Sequence, residues 1–380
     1  MVFYGLALGS VGGPLALAVL YMPQTVTGVR SSAGLVALLA IAAFTLPIAL
    51  WRRYAGEISS SGGLYAFVEA AAGTRVARVQ GTVWAVSYFL YMPYTVAFVV
   101  YDLLPVAFPR IDPYRAPLEL GIPLAMVAAV LLWRSGLFAV MAGAAVLQVA
   151  LVGALAIVQG VHAGLRPSAF APHGATTSGL SASAAVSLLF VCASLPLFLG
   201  GELTDPRRLM RRALPLALGV GGACALAVAV TLGRVPGALL DGSLPGWSVA
   251  YAFGGPGFAS LIAAGTAVSI LTLVLLEYVA LARLLHAMLH QPVRRMEGVA
   301  GAAFLVMAVI SLLGPQAFYA RLAPPSLVAL FVSQLFVFGV YPAFRRRRGA
   351  LRPSDVMLTV GASGLMLYGL VTAVTSQVGS

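Results

Sequence analysis

Two apolar stretches, residues 3–22 and 182–201, are each long enough to cross a bilayer, and each is interrupted by residues that spoil a helix. The first carries Gly9, Gly12, Gly13 and Pro14; the second runs through Cys192, Ala193, Ser194, Leu195 and Pro196 into Gly200, Gly201 and Glu202. Such a break frees backbone N–H and C=O groups that lipid cannot satisfy, so it persists only where protein or a polar cavity surrounds it. The two stretches open two similarly sized halves of the chain. Paired breaks in corresponding places point to a secondary transporter with its substrate site between them. Gly and Pro are also common in membrane helices at large, which leaves plain packing as the competing explanation.

Composition excludes a soluble domain. Hydrophobic residues make up 61% of the 380, charged residues only 9%, and the mean hydropathy is +0.97, as expected of a polytopic membrane protein. The net charge of +12 comes from arginine alone, since the chain has no Lys. These charges fall in short connections between apolar spans, where they set membrane orientation and give no sign of nucleic-acid binding. Cys192 and Cys224 lie inside apolar segments without a CxxC or a nearby His, so neither a disulfide nor a metal site is expected. The four histidines, His162, His173, His286 and His290, fall at or beyond helix ends and form no HExxH. An enzyme, a cofactor and a metal centre are therefore not expected. The first span begins almost at Met1 without a basic leader and reads as a retained helix.

Spans of about 20 apolar residues number eleven, with cores at 3–22, 33–51, 81–104, 118–133, 136–160, 182–201, 213–232, 257–283, 298–313, 325–344 and 355–376. With a cytoplasmic N-terminus, the inner connections hold most of the arginines, from Arg52 and Arg53 through Arg207, Arg208, Arg211 and Arg212 to Arg345–Arg348. The outer ones hold Arg30, Arg110, Arg115, Arg166, Arg234 and Arg321. This imbalance places the N-terminus inside and the C-terminus outside. Five is an odd number, so helices 6–10 (residues 182–344) run opposite to helices 1–5 (residues 1–161), with 355–376 as an additional span. The broken helices are then the first of each unit.

The connections add specific motifs. After helix 2 comes Glu57 with Ser61, Gly62, Gly63 and Tyr65; after helix 6 come Glu202, Asp205, Pro206, Arg207 and Arg208; and Arg283 closes helix 8. In this order, over residues 3–344, the set resembles the amino acid–polyamine–organocation permeases. The resemblance implies an all-α membrane protein of the leucine-transporter fold, a five-plus-five inverted repeat with one extra helix. It also implies alternating-access transport of amino acids across the cytoplasmic membrane, proton-coupled or by exchange. Two departures stand out: the helix 1 glycines are spread as Gly9, Ser10, Gly12 and Gly13, and helix 6 has Cys192-Ala193-Ser194 where the family has Gly-x-Glu.

The same resemblance places the site near the midplane. Half-helix N-termini suit a carboxylate, so the substrate α-carboxylate is expected near Ser10, Gly12 and Gly13. The α-amino group is expected at the carbonyls of Val191, Cys192 and Ala193, with Ser194 adding a hydroxyl. Ser87, Tyr88 and Tyr91 of helix 3 are expected to line the side-chain pocket. Glu277, deep in helix 8, costs roughly 2.5–3.5 kcal/mol to insert as a charge and should face a cavity or a partner. It is the candidate for binding a proton or a substrate amine, with an ion pair to Arg283 as the structural alternative. Ser269 and Thr272 are weaker candidates for a sodium site. A polyamine or other organic amine in place of an amino acid, or a sensor that binds without transporting, are the alternatives.

Overall fold

The computed structural model describes residues 1–165, 167–173 and 176–378; Arg166, placed above on the sparsely basic side, lies outside the described residues. The described residues form helices and no strand. Eleven long helices result: α1 (Val2–Thr25), α2 (Thr27–Ala55), α3 (Thr74–Ala107), α4 (Pro109–Leu132), α5 (Arg134–Ala163), α6 (Thr176–Glu202), α7 (Pro206–Leu232), α8 (Pro245–Leu289), α9 (Val293–Ser311), α10 (Pro315–Gly339) and α11 (Pro353–Val378). Ten of the described helices are long and apolar enough to cross a membrane. The exception, α9, carries Arg294, Arg295 and Glu297 in its first two turns and is apolar beyond them.

Burial sorts these helices into a centre and a rim. The apolar windows of α1 and α6 are 83% and 72% buried, against 28% for α4 and α11. Rim helices instead expose large apolar side chains, among them Val146, Ile157, Val161, Met357 and Val360. No water-facing helix would present that surface, whereas lipid accepts it. The two broken helices thus sit where protein can satisfy the backbone groups that the breaks release.

Three differences from the sequence reading stand out. Helix α8 begins twelve residues earlier than its expected core and bends at Gly255, whose φ of 80° only glycine adopts freely. Helix α10 begins at Pro315 and runs through Pro324 and Pro325. Those prolines remove ladder donors, and Ser326 beside them ties the helix to α3: its hydroxyl donates to the Ser87 carbonyl at 2.9 Å while the Ser87 hydroxyl donates to the Ser326 carbonyl at 2.8 Å. The third difference is a short helix, Tyr341–Arg347, that carries three of the four consecutive arginines.

Around Ser61, Gly62 and Gly63 the chain leads from α2 into a short helix, Leu64–Ala72. Gly63 has a φ of 52°, and a Cβ there would sit 2.6 Å from the Phe198 ring of α6. A Cβ on Gly200 would meet the Ser60 carbonyl at 2.9 Å, and the Ser59 hydroxyl donates to the Gly200 carbonyl at 3.2 Å. Gly200 and Gly201 lie where the two segments touch backbone to backbone, and Gly63 lies under the Phe198 ring.

Gly12→Ala should lower stability by about 1–2 kcal/mol, because alanine at positive φ is strained and its Cβ would press on a carbonyl. Gly143→Ala, on the exposed face of α5 with open space around it, should be neutral or mildly stabilising. Thermal unfolding of the two variants in detergent checks the contrast.

Candidate functional site

Helix α1 is helical over Val2–Ser10, turns through Gly12 (φ 68°) and Gly13 (φ 65°), and restarts at Pro14. Pro suits that first helical position because its missing N–H would be unpaired there anyway. A Cβ on Gly12 would stand 2.8 Å from the Leu189 carbonyl, and one on Gly13 would collide with the Ser269 hydroxyl. The α1 break therefore packs against the break of α6 and against α8 at once. Helix α6 is α-helical to Leu188, turns at Leu189 and Phe190, and continues as 3₁₀ helix from Val191 to Glu202. Such a long 3₁₀ run is uncommon and marks strained or functional backbone.

Several expected site residues meet at this crossing. The Tyr88 hydroxyl donates to Cys192 Sγ at 3.9 Å, and the Cys192 thiol donates to Glu277 Oε1 at 3.8 Å. Glu277 is fully buried, and its Oε2 has no hydrogen-bond partner. The expected alternative of an ion pair with Arg283 is corrected: Arg283 donates to Glu202 at 2.7 Å and to Glu297 at 3.2 Å, because a residue six positions along a helix faces another way. Tyr88 stacks on Trp84 at 3.9 Å between ring centroids, and Trp84 lies against Phe198. Tyr91 interacts with Tyr21 of α1.

Other expected contacts are engaged within the protein. The Ser10 hydroxyl donates to the Ala7 carbonyl at 2.7 Å. The Gly12 and Gly13 N–H groups donate back to Ser10 at 2.8 Å and Gly9 at 3.2 Å. The Ser194 hydroxyl donates to the Val191 carbonyl at 3.3 Å, and the Phe190 carbonyl takes the Ala193 N–H at 2.9 Å. Ser87 points away from the crossing into the clamp with Ser326. Of the two sodium candidates, Ser269 donates to Gln148 Oε1 at 2.7 Å and accepts the Ala16 N–H at 3.3 Å. Thr272 turns its methyl toward Gly9.

Sequence reading missed Tyr21, Tyr94, Tyr319 and Gln148. Tyr94 continues the three-residue spacing of Tyr88 and Tyr91, and Gln148 is one of two amides in an otherwise apolar helix, with Gln159 the other, so both left a signal. Nothing local marked Tyr319, which reaches the group from the start of α10.

The arginine-rich end is tied by two ion networks. Arg134, Glu202, Arg283 and Glu297 join α5, α6, α8 and α9. Beside them lies a cavity of about 570 Å³ lined by Trp133, Arg134, Glu202, Arg294 and Glu297. Glu57 pairs with Arg345 at 2.6 Å and with Arg348, and Asp355 pairs with Arg53 and Arg345. The run Arg345–Arg348, expected only to anchor topology, therefore holds the loop after α2 in place. Arg207 donates to the Glu57 backbone carbonyl at 3.3 Å.

Compared with known proteins, no family model matches the sequence, and no curated protein matches it. Solved structures do resemble the fold. A manganese transporter of Eremococcus coleocola, in complex with an aromatic bis-isothiourea substituted compound, superposes with a TM-score of 0.62 at 13% identity, covering 100% of this chain and 88% of that one. A mutant of the same transporter, in which one histidine is replaced by alanine, gives 0.63 at 13% identity, with coverage of 98% and 85%. Mhp1, a nucleobase-cation-symport-1 family transporter with bromovinylhydantoin bound, gives 0.58 at 12% identity, with coverage of 98% and 91%. The chain is an all-α polytopic membrane protein of the leucine-transporter fold, with one helix beyond the ten of the repeat.

Arg283→Met should cost about 3 kcal/mol, since it removes the one fully buried cation of the network and leaves Glu202 and buried Glu297 only the partly exposed Arg134. Arg348→Ala, at an exposed pair, should cost under about 1 kcal/mol. Thermal unfolding midpoints of the reconstituted variants separate the two.

Proposed function

We propose that this chain is a secondary transporter that moves amino acids across the cytoplasmic membrane by alternating access, with Glu277 as the group that takes up and releases the coupling proton. The observation that carries the reading is the Glu277 carboxylate, fully buried at the crossing of two broken helices with one oxygen unpartnered. A carboxylate in that setting is stable when protonated or when it faces a cationic ligand group, and switching between these states couples the two. As the chain stands, the Gly12 and Gly13 N–H groups and the Ser194 hydroxyl are bonded within their own breaks. Opening at the two breaks would turn them toward a zwitterion, carboxylate to α1 and ammonium to the carbonyls of Val191, Cys192 and Ala193.

Coupling to a proton fits better than coupling to sodium. Ser269 already shares its hydroxyl between Gln148 and the Ala16 N–H, which leaves one fewer oxygen for a hard cation. Neither the manganese nor the nucleobase cargo of the structural neighbours is carried over. The arginine-rich end is assigned to the cytoplasm by the positive-inside rule, with residues 1–161 and 182–344 as the two inverted units. The second reading, an organic amine as substrate, rests on the same unpartnered Glu277 oxygen.

Proteoliposome uptake of labelled amino acids and polyamines tests these readings. Wild-type protein should show saturable uptake stimulated by an inward proton gradient and unchanged when sodium is replaced by choline. Glu277→Gln should abolish the proton stimulation. Uptake confined to polyamines would shift the assignment to organic amines; proton-stimulated uptake that survives Glu277→Gln would remove Glu277 from coupling.

A further inference from the structure

Glu277 needs a way to exchange its proton with water, and one face of α3 leads away from it. Tyr88, Tyr91, Thr95, Phe98 and Asp102 recur at the three- and four-residue spacing that aligns side chains along a helix. From Tyr88 to Asp102 the stripe covers about 21 Å of helix axis, roughly half a membrane. It runs from the crossing toward the end of the bundle opposite the arginine-rich one.

Nearly every step of the stripe carries a hydroxyl or a carboxylate. Tyr88 reaches the Glu277 carboxylate through the Cys192 thiol, and Tyr91 packs beside Tyr88 with ring centroids 6.4 Å apart. Tyr91 and Tyr94 lie edge to face with centroids 5.2 Å apart. The Thr95 hydroxyl is buried without a partner. Phe98 would interrupt the series, but at that level Tyr319 of α10 packs 5.7 Å from Phe98 and 5.4 Å from Tyr94. Asp102, half-buried, lies one turn beyond Phe98 on the same face. Tyr21 and Tyr91 remain partly accessible although they lie among the central helices, and Tyr319 is 36% exposed.

On the proposed reading of Glu277 as the proton carrier, we propose that Tyr91, Tyr94, Tyr319 and Asp102 form its proton-access route from the face opposite the arginine-rich end. A proton arrives from water at the Asp102 carboxylate. It passes along the Tyr319, Tyr94 and Tyr91 hydroxyls, each of which accepts one proton and releases its own through intervening water, and it ends on Glu277. No electrons move and no tyrosine changes its net protonation. The other polar groups nearby face one another or Glu277 itself, and buried Glu119 of α4 accepts from Ser311. Arg283 and Glu297 bond each other toward the arginine-rich end, Cys192 donates to Glu277, Gln148 of α5 faces Ser269, and Arg115 beside Asp102 is paired with Asp112 at 2.7 Å.

Time-resolved infrared spectroscopy tests the route without knowledge of the substrate. Protein is inserted in one orientation in vesicles, the external pH is stepped down, and the protonated-carboxyl band removed by Glu277→Gln is followed. The double variant Tyr94→Phe/Tyr319→Phe should reach the same final band amplitude about tenfold or more slowly than wild type. Tyr368→Phe, a hydroxyl lost far away on α11 where it meets Ser181, should match wild type. A wild-type rate in the double variant overturns the route and leaves Glu277 in place. A band absent from wild type, or unaffected by Glu277→Gln, overturns the reading of Glu277 itself. Should the double variant fail to fold, Asp102→Asn alone is read for the same slowing.

Discussion

A backbone polar group released in the middle of a membrane has no water to turn to, and this one constraint organises the molecule. Each of the two broken helices frees N–H and C=O groups at a depth where an unpaired group costs several kcal/mol. The fold meets that cost by burying both breaks at its centre and setting them against each other, with Gly12 beneath the Leu189 carbonyl and Gly13 beneath Ser269. Backbone donors that do not return to their own chain find a neighbour, as the Ala16 N–H finds Ser269. The rim helices can be plain, apolar and lipid-facing because they carry no such burden.

Around this centre the polar side chains divide into two kinds. At the arginine-rich end the carboxylates of Glu57, Glu202, Glu297 and Asp355 each meet at least one guanidinium. They lock helix ends and the motif loops together. Glu277 is of the other kind, buried with one oxygen unpartnered and a thiol and tyrosines for company. Structural carboxylates at that end come with arginines, and Glu277 does not.

Much of the architecture was legible in the sequence because lipid permits so few solutions. Apolar runs gave all eleven helices, and Gly12, Gly13 and Cys192 marked the breaks. What escaped was long-range or compensated. Pro324 and Pro325 look like a helix end, yet α10 runs through them and is held against α3 by the reciprocal Ser87 and Ser326 bonds. The pairing of Arg283 with Glu202 and Glu297, the approach of Tyr319 to Tyr94, and the engagement of Ser269 by Gln148 join residues far apart in sequence. No local pattern encodes such meetings. Glu277 itself was legible, since an acid in an apolar helix is costly wherever it lies.

The central claim is that the crossing of the two breaks is a ligand site that opens to water. Cys192 reports on it directly, because its thiol touches Glu277 and Tyr88, while the other cysteine, Cys224, lies away on α7. The most direct measurement is the rate at which a membrane-impermeant thiol reagent modifies Cys192 in a Cys224→Ser background, from each side of the membrane, with and without amino acids. The account predicts slow modification reachable from the aqueous phase and protection by a bound amino acid. A thiol that stays inert from both sides, or reacts at a rate no amino acid or amine changes, would contradict it.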